Sequence, residues 1–252
     1  MRLKESILIH QGISIPIWLY SPDDVIRGLR PVVILCHGIP GGMPDKKDTG
    51  YLPLISDIVS SGFICVVFNF QGCGDAGGNC DMQGWYGNLM AVFHRIYNTP
   101  GVDPTSIHCI GFSAGGAVAS RAVAMDPHIS SLLLMATPQA FREILPDTPK
   151  VLKEHFVSIG IIRDSGFPDD LDAWYDTFTD LDAIKWLPFC APRPVGIVHG
   201  DADEVVPLSH ASILYEHARE PKKLIMLEGA SHQLRKDERV SGIILDWLNG
   251  VV

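Results

Sequence analysis

Several features that would assign this chain to common protein classes are missing from its sequence. Its 252 residues contain no apolar run close to the roughly 18 to 20 residues that a membrane-spanning helix needs. The beginning, MRLKESILIH, is too polar for a signal peptide. Lysine and arginine number 20 against 29 acidic residues and form no cluster, which argues against nucleic acid or an anionic membrane as the main partner. We therefore expect a cytoplasmic protein that has neither as its partner.

Cysteine motifs are missing as well. The six cysteines include no C-x-x-C pair, so the sequence suggests neither a zinc site nor a redox dithiol. Cys36, Cys65 and Cys109 lie inside apolar, strand-like runs, where a free thiol behaves as a small buried hydrophobic group. We predict reduced structural thiols and no metal or other cofactor.

No Gly/Ser tract, Pro-rich spacer or charge block divides the chain, so we predict a single domain over residues 1–252. Two short β-like runs around Gln11 and Gly12 predict an antiparallel hairpin at a sheet edge. After them, apolar strands such as PVVILCHG and SIHCIGF alternate with amphipathic helices. This order predicts a mainly parallel sheet with helices on both faces, whose functional groups collect in the loops after the strand C-termini.

One of these loops carries a candidate nucleophile. In IGFSAGG, Ser113 lies between a predicted strand and a predicted helix, and Gly111 and Gly115 stand two residues away on either side. A serine on so sharp a turn has strained backbone angles, and the residues two positions away must be small to avoid the neighbouring strand and helix. A serine that merely caps the helix would also fit an isolated motif, but the strand–turn–helix context favours a nucleophile.

A serine needs a base and an orienting acid. Of the ten histidines, only His37, His199 and His232 lie at predicted strand C-termini. His232, in GASHQ after the last strand, is our candidate base, because its loop can fold back over the sheet towards Ser113. His37 and His199 each precede a glycine, and we expect them to brace their loops.

Two aspartates follow His199 in HGDADEVVP. Asp203 lies deeper in the loop, just before Val206 and a proline, and is our candidate acid. We expect Asp201 to bond backbone amides within the turn.

Together, HGIPGG, GFSAGG, HGDADEVVP and GASH resemble the motifs of the α/β-hydrolase superfamily, over nearly the full chain. The resemblance implies an eight-stranded, mainly parallel sheet and a triad of Ser113, Asp203 and His232. It also implies an oxyanion hole formed by the backbone N–H groups of Ala114 and Ile39. Its activity would be hydrolysis of a small carboxylic ester through an acyl-enzyme. A peptidase or amidase using the same triad is the alternative, because GFSAGG also resembles the GxSxGG of prolyl-oligopeptidase domains.

The glycines at 72, 74 and 77 also match the GxGxxG pattern of dinucleotide sites. In those sites the third glycine opens a helix, whereas here four residues from Gly78 to Asp81 delay the next helix. FNFQGCGDAGG instead resembles the FxFRGxGxSxG loop of small α/β-hydrolases, with Gln71 in place of the usual arginine and Asp75 in place of the usual serine. We therefore disfavour a nucleotide-binding or non-catalytic role.

Residues 138–190 contain no clear strand and are rich in aromatic side chains. In the superfamily, a small cap above the nucleophile is often inserted at this point, which would make Trp174, Tyr175, Phe178 and Trp186 substrate contacts. The other interpretation is two surface helices that pack their aromatic residues on the body of the domain. The pattern favours neither. Oligomeric state does not follow from the sequence.

Overall fold

The computed structural model describes residues 1–23, 28–41 and 50–251. It contains one eight-stranded sheet with the order β1-β2-β4-β3-β5-β6-β7-β8. The strands are β1 (Arg2–His10), β2 (Ile13–Ser21), β3 (Arg30–Cys36), β4 (Ile64–Phe68), β5 (Val102–Phe112), β6 (Ser131–Met135), β7 (Val195–Gly200) and β8 (Lys222–Leu227). From β4 onwards across the sheet every pairing is parallel. The predicted mainly parallel sheet is confirmed.

The two antiparallel pairings lie at one edge, where β1 pairs with β2 and β2 with β4. The hairpin turn between β1 and β2 has positive φ angles at both Gln11 (51°) and Gly12 (81°). That combination is the backbone of a tight two-residue hairpin turn, which glycine adopts without strain. The predicted edge hairpin is therefore present.

Eight α-helices connect the strands in the described part of the chain: α1 (Leu52–Ser60), α2 (Met82–Tyr97), α3 (Ala114–Met125), α4 (Pro149–Ser158), α5 (Leu171–Asp180), α6 (Ala183–Trp186), α7 (Ser209–His217) and α8 (Glu238–Val251). Short 3₁₀ turns occupy Phe141–Glu143, Leu187–Phe189 and Leu234–Lys236. No helix among the described residues is both long and apolar enough to cross a bilayer.

The helices cover both faces of the sheet, and strand β3 shows why its buried part, from residue 32 to residue 36, is apolar. Val32 and Ile34 belong to the core on the side of α2 and α3, whereas Val33 and Leu35 belong to the core on the side of α1 and α8. Since successive side chains point to opposite faces, a strand covered on both sides has no polar position. The candidate residues lie in the loops at the C-termini of the parallel strands.

Candidate active site

Ser113 occupies the turn between β5 and α3 in a strained backbone conformation. Its φ is 51° and its ψ is −124°, a combination that side-chain-bearing residues rarely adopt. Its backbone N–H donates to the carbonyl oxygen of Met135 at the end of β6, 2.8 Å away. This bond ties the turn to the neighbouring strand and helps to hold the strained angles.

The small residues beside the turn are required by close backbone contacts. A Cβ added to Gly115 would lie 2.4 Å from the carbonyl oxygens of both Cys36 and His37. A Cβ on Gly111 would lie 2.4 Å from the Cα of Gly116. All three distances are far below van der Waals contact. The steric reason that the sequence suggested for glycine at both positions is thus present in the structure.

The structure brings together the three side chains that the sequence selected. Ser113 Oγ lies 3.1 Å from His232 Nε2. On the other side of the ring, His232 Nδ1 lies 2.8 Å from Asp203 Oδ2. The side chain of His232 is 18% exposed, and that of Asp203 is fully buried. A buried carboxylate, a partly exposed imidazole and a hydroxyl therefore form a continuous chain that ends at the surface.

The carboxylate of Asp203 is held at both oxygens. Oδ1 accepts hydrogen bonds from the backbone N–H groups of Val205 (2.9 Å) and Val206 (2.8 Å). Oδ2 faces His232 and also lies 3.3 Å from His199 Nε2. Burial by itself would raise the pKa of Asp203, but the hydrogen bonds from the two imidazoles outweigh it and hold the pKa well below its usual range. Asp203 is therefore an anion in a buried position.

Asp201 has a different environment. It is exposed, and its Oδ1 accepts a hydrogen bond of 2.6 Å from the backbone N–H of Gly229. It thus ties the loop after β7 to the loop after β8, whereas the sequence suggested a bond to backbone amides within its own turn. The structure places Asp203, and not Asp201, beside His232.

His37 contacts its own loop and the loop after β4. Its Nε2 accepts a hydrogen bond from the backbone N–H of Phe70 (3.1 Å), and its Nδ1 donates to the carbonyl oxygen of Gly38 (2.7 Å). Burial lowers its pKa, with the bond to Gly38 acting in the opposite direction. A Cβ on Gly38 would lie 2.9 Å from the Cβ of Ser113, so the backbone here passes directly beside the turn. The oxyanion-hole role of Ile39 and Ala114 stays a prediction. Gly42, the last residue of HGIPGG, lies outside the described residues.

The glycine-rich loop before α2 is filled by the protein itself. The guanidinium of Arg163 donates to the carbonyl oxygens of Gly74 and Ala76, each at 2.8 Å. Asn79 Oδ1 accepts the backbone N–H of Arg163 at 2.8 Å. The helix begins only at Met82. These contacts come from a segment 84 to 89 positions away, and no local pattern in the sequence identifies Arg163 as such a partner.

Gln71, which departs from the family pattern, belongs to the same packed loop. Its side-chain amide donates to the carbonyl oxygen of Asn79 at 3.0 Å, and its backbone N–H donates to Asn88 Oδ1 at 2.9 Å. A Cβ on Gly84 would lie 2.3 Å from the Gln71 amide. The glutamine thus fits into space that a glycine of α2 leaves open.

The aromatic residues of 138–190 form a packed cluster. Trp174, Tyr175 and Phe178 are 4%, 4% and 1% exposed. Trp174 meets Phe156 edge to face at 5.7 Å, and its Nε1 donates to a backbone carbonyl in the loop before α2. Trp186 lies against the guanidinium of Arg121, 5.0 Å from its ring centre. For Trp174, Tyr175 and Phe178 these contacts favour the interpretation in which the helices pack on the body. Their role as substrate contacts, and the cap, stay predictions.

Among residues 1–23, 28–41 and 50–251, no group of three or more His, Cys, Asp or Glu side chains is arranged to hold a metal ion. All six cysteines are free and buried. Burial raises their pKa values, to about 12 for Cys73, Cys109 and Cys190. These thiols therefore sit in environments that suppress thiolate chemistry.

Comparison with known proteins identifies the fold. A family model described as the alpha/beta hydrolase fold matches residues 31–156. The uncharacterized protein YfhR of Escherichia coli (strain K12) is 24% identical over 225 residues, which cover 88% of this chain and 68% of YfhR. The alpha/beta hydrolase GrgF from Penicillium sp. sh18 has a similar structure, with a TM-score of 0.77 at 17% identity, covering 100% of this chain and 99% of GrgF. Est1E from Butyrivibrio proteoclasticus, with ferulic acid bound, has a TM-score of 0.75 at 20% identity and 98% coverage of both chains.

Proposed function

The chain belongs to the alpha/beta hydrolase fold family, and on that premise we propose that it is a serine hydrolase that cleaves small carboxylic esters through an acyl-enzyme. The observation that carries this proposal is the continuous contact from Ser113 Oγ through the imidazole of His232 to Asp203, at 3.1 and 2.8 Å. A strained serine with an oriented base is the arrangement that activates a hydroxyl for attack on a carbonyl carbon.

In acylation, Ser113 Oγ attacks the ester carbonyl carbon while His232 Nε2 takes the hydroxyl proton. His232 Nδ1–H stays bonded to Asp203, which fixes the tautomer and stabilises the imidazolium. The tetrahedral intermediate then collapses, and His232 gives the proton to the departing alkoxide. The alcohol leaves, and the acyl group remains on Ser113.

In deacylation, water replaces the alcohol. His232 takes a proton from the water as its oxygen attacks the acyl carbon, and the collapse returns that proton to Ser113 Oγ and releases the carboxylic acid. In both halves the negative oxygen of the intermediate would accept hydrogen bonds from the backbone N–H groups of Ala114 and Ile39. Two observations support this role: Ala114 is the first residue of α3, and the backbone of Gly38 passes close beside Ser113.

An aryl or short to medium acyl ester is the substrate class that we propose. The solved structure of Est1E contains ferulic acid, an aromatic acid, on the same fold. The buried aromatic residues of 138–190, with Trp186 at their edge, would favour an apolar group if this segment lines the pocket. A cytoplasmic location, independence of cofactors and the lack of nucleic-acid or membrane partners remain predictions from the sequence.

A fluorophosphonate probe together with p-nitrophenyl esters tests the proposal. The probe should label wild-type protein, and Ser113→Ala should lose both labelling and ester turnover. Ser120→Ala is the matched control, because Ser120 lies on α3, the helix that follows Ser113, but donates to the carbonyl oxygen of Gly116 inside the core. Full turnover in Ser113→Ala would contradict the proposal. Turnover of aminoacyl-nitroanilides in preference to esters would establish the peptidase alternative instead.

A further inference from the structure

His199 stands at the end of β7 with a completely buried side chain. Its Nε2 lies 2.8 Å from the carbonyl oxygen of Val206 and 3.3 Å from Asp203 Oδ2. Since a carbonyl oxygen only accepts, Nε2 must carry the proton. The N–H is therefore shared between the loop backbone and the carboxylate that His232 uses.

Four N–H groups consequently surround the carboxylate of Asp203, three at 2.8 to 2.9 Å and that of His199 at 3.3 Å. Two backbone N–H groups, from Val205 and Val206, reach Oδ1, and two imidazole N–H groups, from His199 and His232, reach Oδ2. A carboxylate offers about four lone-pair positions, so this one has no acceptor capacity to spare. Its plane cannot rotate without breaking several of these bonds.

The other ring nitrogen of His199, Nδ1, makes no comparable contact. Nδ1 is buried and has no hydrogen-bond partner among the described residues. A buried polar atom left without a partner costs free energy, and such exceptions in a folded protein call for a reason. An apolar residue of similar size would fill this position without that cost. The contacts made by Nε2 are thus the feature that distinguishes histidine here.

Bracing of the loop explains the bond from Nε2 to the carbonyl oxygen of Val206, but not the approach of Nε2 to Asp203 Oδ2. The loop after β7 is already closed by the two backbone N–H groups of Val205 and Val206 on Asp203, and by Asp201 on Gly229. What only His199 adds is a donor on the same oxygen that faces His232.

We propose that His199 is a positioning residue for Asp203, whose Nε2–H holds Oδ2 in line with His232 Nδ1–H. This inference rests on the proposed function and adds a residue that acts through Asp203 without touching substrate. His199 transfers no proton. It keeps the carboxylate from turning when His232 becomes an imidazolium, so its contribution falls on the chemical step rather than on substrate binding.

Three variants of His199 distinguish a positioning role from a purely structural one. They offer a hydrogen-bond donor at two different places, or none at all. His199→Gln puts an amide N–H close to the position of Nε2, His199→Asn puts one close to Nδ1, and His199→Phe has none. We expect Phe and Asn to lower kcat by about ten- to fiftyfold with KM within about twofold, and Gln to retain most of the wild-type kcat. Burst titration with a p-nitrophenyl ester corrects each rate for the fraction of active protein.

A double-mutant cycle keeps the test decisive if the variants are less stable. In an Asp203→Ala background the carboxylate is gone, so His199→Phe should lower kcat by less than about twofold further. Equal kcat in the Gln and Asn variants, or additive losses in the cycle, would overturn the inference while Ser113→Ala remains inactive. Full activity of Ser113→Ala would overturn the proposed function and this inference together.

Discussion

Asp203→Asn tests the site most directly, because the structure determines which way the new amide will turn. The backbone N–H groups of Val205 and Val206 both donate to Oδ1. An asparagine should keep its carbonyl oxygen there, which places its NH₂ group against His232 Nδ1. The NH₂ group would also face His199 Nε2–H, but that donor keeps its bond of 2.8 Å to the carbonyl oxygen of Val206. A donor at that position requires Nδ1 to accept, so the ring carries its proton on Nε2. That nitrogen faces Ser113 Oγ at 3.1 Å and then has no lone pair to receive the hydroxyl proton.

The size of the expected loss in kcat follows from the free energy that the opposite orientation of the asparagine amide would cost. Turning the amide over would set its NH₂ group against two buried N–H donors, each left unsatisfied at about 1 to 3 kcal/mol. At the lower limit of about 2 kcal/mol, fewer than about one molecule in thirty has the productive orientation. Asparagine also lacks the negative charge that stabilises the imidazolium, and this lowers kcat further. We expect kcat to fall by about 10³ to 10⁴, with little change in KM.

Hydrolysis of p-nitrophenyl acetate, with stability checked by thermal unfolding, measures this effect. Asp201→Asn is the matched control, since Asp201 lies two positions away and accepts only the N–H of Gly229 in the contacts described. It should lower kcat by no more than a few-fold. A larger loss in Asp201→Asn than in Asp203→Asn would refute the choice of acid. An intact kcat in both would refute the role of a carboxylate beside His232.

Four further outcomes are expected. Gly115→Ala should abolish ester turnover and fluorophosphonate labelling, because its Cβ would lie 2.4 Å from two carbonyl oxygens, whereas Gly242→Ala, with nothing within 4 Å, should retain both. Burial lowers the pKa of His108 from 6.5 to about 4. Between these two pH values the unfolded state therefore binds a proton that the native state does not bind. The free energy of unfolding should therefore fall by about 3 kcal/mol more between pH 6.5 and 4 in wild type than in His108→Gln, measured by urea titration. The six buried thiols should resist iodoacetamide at pH 8 in native protein and react in denaturant, as counted by mass spectrometry. Trp174→Ala should lower the free energy of unfolding by about 3 to 5 kcal/mol, and an altered acyl chain-length profile in the same variant would show that the segment also contacts substrate.

The order of elements and the candidate site could be predicted because both depend on short patterns. An apolar run of five to seven residues such as β3 is the sequence of a strand covered on both faces, and its alternation with amphipathic helices leaves few topologies. The same topology brings the C-termini of the parallel strands to one edge of the sheet. Ser113, Asp203 and His232 could thus be chosen by their positions at strand ends, although 119 residues separate the first from the last.

The sequence by itself also determined where glycine is needed at the turn. Gly111 and Gly115 each lie two residues from Ser113, where a side chain would clash with the backbone. Only the tertiary structure decided which polar atoms meet. Arg163 bonds the carbonyl of Gly74 from 89 positions away, and His199 reaches Asp203 Oδ2 through a loop bent back on itself. Such contacts depend on distances of a few tenths of an ångström between side chains whose spacing in the chain follows no period. A hydrophobic pattern specifies which face is buried, but hydrogen bonds require defined positions and directions, which exist only once the chain is packed.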